Sequence, residues 1–113
     1  MSNLVSITQL DSANQAKAVR TFAKFYIRLY KAESLEIISS FVPAGYLSDI
    51  NAVIKRNLYL TKEELLDLSL SISTGEYLQV MQRLDQKYNA TGTPETPWRS
   101  WLVTHHKQLV SES

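Results

Sequence analysis

Between residues 13 and 31 the apolar side chains cover more than half of a helical wheel. Ala16, Ala18, Val19, Phe22, Ala23, Phe25, Tyr26, Ile27, Leu29 and Tyr30 fall too widely for a single buried stripe when successive residues turn by about 100°. A helix of that kind is stable in water only when several neighbours pack around it. The other residues of the 113-residue chain must therefore build a cage around this segment. A chain of this length is one domain by size, 1–113, and can bury about two-thirds of the surface its unfolded form exposes. The segments 1–11 and 111–113 carry no strong pattern and read as loose ends.

The cage also reads as helical. Asp11 and Ser12 open the long segment, with Ser12 and Gln15 at capping-box spacing. A short helix is predicted over 34–41, closed by Pro43 and Gly45, and a third over 46–56, with Asn57 as its stop. Thr61 and Glu64 form a second capping box. A short helix over 62–69 and another from about 74 to 88 follow. Thr96 and Pro97 then start a sixth helix carrying Trp98, Trp101, Leu102, His105 and Leu109. The expected fold is all-α, a compact orthogonal bundle of about six helices around a long central first helix. One stretch argues otherwise. Leu66, Leu68, Leu70 and Ile72 alternate with Asp67, Ser69, Ser71 and Ser73, which is the period of a strand. An α+β variant with one small ribbon, using residues 3–8 as partner, is the alternative.

Chemistry is sparse. The chain has no cysteine and three glycines, which removes disulfides, thiolate metal sites and a glycine-rich phosphate loop. His105 and His106 are adjacent, so on a helix their rings point about 100° apart and cannot share a metal. His105 falls on the tryptophan face and reads as a core-edge residue. Glu63, Glu64 and Asp67 suit the positive end of a helix before any catalytic duty. Trp98, Trp101, Tyr77 and Tyr26 could line a small-molecule pocket, but aromatics at helical spacing fill cores far more often. No catalytic residue, metal site or cofactor is expected. The first ten residues lack a signal-peptide pattern and no apolar run reaches membrane-spanning length, so the expected setting is cytoplasmic and away from membranes. Asn89 and Thr91 match a glycosylation sequon, which carries no weight without secretion.

The informative polar feature lies on the first helix. Lys17, Arg20, Lys24, Arg28 and Lys31 are spaced by three, four, four and three residues, inside an arc of about 80° opposite the aromatic face. Residues 1–32 hold five cations and one anion, whereas residues 33–113 hold seven cations and ten anions. The formal net charge of +1 thus conceals a strong separation of sign. A solvated helix edge normally mixes signs, because i,i+4 pairs of opposite charge stabilise it. Five like charges in a row forgo that gain and point to something anionic opposite them: a protein partner, a phosphate backbone, or Glu63, Glu64 and Asp67 of a second copy. The expected role is therefore a non-enzymatic regulatory or adaptor protein that docks on a protein partner through this ridge.

A second surface suggests DNA. Residues 60–88 have the rhythm of a helix-turn-helix, and Gln79, Gln82, Arg83 and Gln86 would face outward on its second helix, where such side chains read base edges. Pro94, Arg99, Trp101 and Leu102 stand at the spacing of a proline-led Arg-x-Trp-Leu. With the six-helix layout, this resembles regulators of the Trp-repressor type. That resemblance implies a helix-turn-helix DNA-binding transcriptional regulator as the alternative function.

Overall fold

A helix starts where its first N–H groups find an acceptor, and two starts here are built from short side chains. The Asp11 carboxylate accepts from the Asn14 backbone N–H at 2.9 Å and from its side-chain amide at 3.0 Å. Those bonds hold the Asp11 carboxyl below its usual range and make Asp11, one residue before the expected Ser12, the cap of α1 (Ser12–Lys31). Thr61 and Glu64 form the reciprocal capping box expected at the head of α4 (Lys62–Arg83). Between them lie α2 (Glu36–Ser39) and α3 (Ala44–Arg56), and α5 (Trp98–Glu112) closes the chain. The computed structural model describes residues 4–84 and 86–112, with side chains through residue 106.

The fold is all-α, with five α-helices rather than six among the described residues. The difference lies in α4. The residues expected to turn between two helices remain helical through Ile72, and only Ser73, at φ −116° and ψ 16°, leaves helical geometry. The kink has a local cause: the Thr74 hydroxyl donates back to the Leu70 carbonyl, and Gly75 follows it. Such back-bonding bends helices. The leucine alternation does not describe a strand. Buried positions are Leu65, Leu66, Ser69, Ser73, Tyr77, Val80 and Met81, a helical period in which two serines occupy core sites, while Ile72 is 55% exposed. Ser69 is buried because its hydroxyl shares a 2.6 Å hydrogen bond with that of Tyr77, a paired polar group inside the core.

The last turns of the predicted 74–88 helix do not form either. α4 stops at Arg83, and Tyr88 instead makes isolated bridges to Val5 and to Pro94. The N-terminal segment thus does pair, but with Tyr88 rather than with residues 66–73. Within it Ile7, in a short 3-10 turn (Ile7–Gln9), is 2% exposed and Leu10 is 8% exposed, and burying those two side chains favours the packed position of residues 7–10. Residues 1–3 and 113 lie outside the described residues. The loop after Tyr88 is held by the Asn89 side chain, whose Oδ1 accepts from the Thr91 and Thr93 backbone N–H groups, each at 3.1 Å. At Gly92, φ is +87°, and a Cβ there would sit 2.5 Å from the Asn14 carbonyl oxygen.

The core gathers on the apolar side of α1. Phe22 lies 4.9 Å from Trp98 and 6.1 Å from Tyr77, and Phe25 stacks on Trp98 at 5.5 Å. Trp98, Trp101, Tyr26 and Tyr77 are all buried and fill this core. α4 packs on both α1 and α3, while α2 packs on α5. The two carboxyl-terminal helix ends nearest the basic ridge are closed by local bonds. At the end of α1, Ser34 N–H donates to the Leu29 carbonyl at 2.9 Å and Glu33 N–H to Tyr30 at 3.1 Å, a Schellman closure with Glu33 at φ 57°. At the end of α3, the Asn57 amide donates to Val53 at 2.8 Å.

Candidate functional site: a basic groove between α1 and α4

The packing of α4 against α1 sorts the five cations of the ridge. Arg20 faces the first turns of α4, with Nη1 3.1 Å from Asp67 and Nη2 3.6 Å from Glu63. Its charge is answered within the chain, although Arg20 is half-exposed and both carboxylates are largely exposed, and such a pair contributes about 0–1 kcal/mol. Lys17 lies near the start of α1 and is exposed. The remaining three, Lys24, Arg28 and Lys31, line a depression of about 300 Å³ together with Ile27, Lys62, Glu63 and Leu66. Ile27 and Leu66 belong to the core, at 8% and 3% exposure, and form the floor. The rim holds four cations and one carboxylate.

Lys62 was not legible as part of this site. It follows the Thr61 cap and reads in isolation as an ordinary first-turn residue. Only the contact of α4 with α1 brings it across from Lys31. Lys31 also lines a second, more open depression of about 700 Å³ with Tyr30, Glu33, Leu35, Glu36 and Leu58. Leu58 is 47% exposed and its neighbour Tyr59 81%. The basic groove therefore runs into an exposed apolar pair in the α3–α4 connection.

The glutamine face is differently disposed. Arg83 Nη1 donates to the Gln79 carbonyl at 2.8 Å and to its side-chain oxygen at 3.1 Å. Arg83 Nη2 donates to the Tyr46 hydroxyl at 2.9 Å, and the guanidinium carbon lies 4.2 Å from the Tyr46 ring centroid. Gln86 lies beyond the end of α4, where its amide donates to the Thr96 carbonyl at 2.8 Å and accepts from the Thr96 N–H at 3.1 Å. Gln82 is exposed near Ser6 and Thr8. The four residues do not share one helical face.

His105 is half-buried against Trp101 at 4.5 Å and Phe41 at 5.1 Å, and His106 is exposed. Among the described residues no three His, Asp or Glu side chains stand where they could hold a metal ion, and no helix is long and apolar enough to cross a membrane. Burial pushes the Tyr77 hydroxyl up to about 12 and raises those of Tyr26 and Tyr88 as well. These groups belong to the core and not to the groove. No family model, curated protein or solved structure matches the chain.

Proposed function

We propose that this is a non-enzymatic, cytoplasmic regulatory or adaptor protein that docks on another protein through the basic face of α1. The observation that carries the reading is that Lys24, Arg28 and Lys31 converge with Lys62 on one groove while, among the described residues, Arg20 is the ridge cation that Asp67 and Glu63 answer. Uncompensated like charges on a helix repel one another. A partner of opposite sign relieves that repulsion and accelerates encounter. The DNA-binding alternative draws less support, because Arg83 and Gln86 are engaged inside the chain.

Cross-linking of the full chain in native extract, read by mass spectrometry, tests the proposal. The paired reversal Lys24→Glu and Arg28→Glu is expected to remove the partner that the unaltered protein captures. Capture that survives both reversals overturns docking through the ridge. Retention of random duplex in a low-salt mobility-shift assay, abolished by Gln82→Ala and Arg83→Ala but not by the ridge reversals, would favour the DNA reading instead.

A further inference from the structure

We infer that the α1–α4 groove receives an acidic amphipathic helix of a partner protein, with Leu58 and Tyr59 as the apolar end of the same surface. The inference rests on the docking reading and specifies the partner's chemistry. Lys24, Arg28 and Lys31 step by four and three residues along α1, a rise of about 6 Å and then about 4.5 Å. A helix laid along the groove repeats acids at i, i+4 and i+7 with that same rise. Lys62 stands on the opposite wall, so acids on both flanks of such a helix find cations. Between the walls, Ile27 and Leu66 and the hydrocarbon stems of the lysines offer a narrow apolar strip. A groove between two helices is also the shape that an amphipathic helix fills with its apolar edge.

The end of the groove supplies the anchor. Lys31 borders both depressions, and Tyr59 directly follows, in the chain, the Leu58 that lines one of them. A tyrosine exposed at 81% beside a leucine exposed at 47% has the composition of an interface centre, with the cations as its rim.

The cation count favours a peptide over a polyphosphate. Four cations and one carboxylate, Glu63, line the groove, and Glu63 already faces Arg20 at 3.6 Å. Duplex DNA carries a charge about every 1.7 Å of its axis, so a strand here would leave most of its phosphates unmet, whereas acids at i, i+4 and i+7 of a helix match the cation spacing.

Selection from a displayed library of random peptides of about 16 residues, long enough for four helical turns, tests this at about 150 mM salt. The immobilised full chain is expected to enrich peptides with Asp or Glu at i, i+4 and i+7 interleaved with leucine or aromatic residues. In fluorescence anisotropy, Lys24→Glu with Lys62→Glu should weaken the enriched peptides about a hundredfold. Tyr59→Ala should weaken them about tenfold without changing the salt dependence. The inference is overturned by a pool lacking that acidic spacing, by binding that survives the paired reversal, or by tighter binding of an oligonucleotide of equal charge. Failure of the selection while native capture still depends on Arg28 rejects the acidic helix and leaves docking intact. Enrichment without any ridge-dependent native capture rejects docking itself.

Discussion

The basic ridge of α1 and the glutamine face of α4 look equally available in sequence, and the fold treats them in opposite ways. Along the ridge, α4 answers one cation, Arg20, and leaves Lys24, Arg28 and Lys31 around a groove. On the glutamine face, α3 offers Tyr46 to Arg83, and the segment before α5 offers the Thr96 backbone to Gln86. A polar side chain's freedom is set by what the neighbouring element presents within about 3 Å, and residue type alone does not reveal it. The contrast also separates structure from function. Residues that the fold consumes should cost stability when removed, and residues it leaves aside should cost binding only.

The largest expected effect erases both surfaces together. Tyr77 keeps its proton to about pH 12, and Tyr26 and Tyr88 also hold theirs above the ordinary value of 10. Because the raised value belongs to the folded state, stability is full below about pH 10 and falls as the pH climbs through the folded values. Circular dichroism and absorbance at 295 nm should show unfolding together with late tyrosinate formation. A smooth titration of every tyrosine near pH 10 with the helices intact would contradict the packing described. Next, Gly92→Ala attacks the loop packed on the first turn of α1. The positive φ and the 2.5 Å approach to Asn14 should cost about 2 kcal/mol or more in urea denaturation.

Gln86→Ala removes two part-buried hydrogen bonds to the Thr96 backbone and should cost about 1–2 kcal/mol by the same measurement. An unchanged midpoint would return Gln86 to the list of available readers. Arg83→Ala loses the Tyr46 contact, and its expected cost is smaller, about 0.5–1 kcal/mol, because the site is exposed. Smallest is Lys24→Gln with Arg28→Gln, for which the melting midpoint should shift by no more than about 0.5 kcal/mol equivalent. A clear loss of stability there would make the ridge scaffolding and dissolve the contrast.

Local signals carried much of the helical layout. The Thr61 and Glu64 capping box, the Asn57 stop and the breadth of apolar residues on α1 are all encoded within a few residues, and each stands where its chemistry requires. Legibility failed where a distant partner decided. Ser69 and Ser73 read as polar positions of a strand-like alternation, yet Tyr77 satisfies Ser69 inside the core. That hidden pairing is why a helical stretch looked like a strand. The predicted helix runs to residue 88, but the Tyr88 N–H and carbonyl both bond to Val5. On the ridge, spacing alone placed the five cations together, while the different standing of Arg20 and the arrival of Lys62 depend on how α4 lies against α1.

The bridge between Val5 and Tyr88 has a consequence for the newborn chain. The two residues are about 80 apart in sequence, and translation adds roughly 5–20 residues each second. Leaving the ribosome, the first segment waits several seconds before its clasp has been made. Trp98 and Trp101, which cover Phe22 and Phe25, emerge later still. The aromatic face of α1 thus leaves the ribosome before the tryptophans that cover it, and that face is the stretch a nascent-chain chaperone would grip.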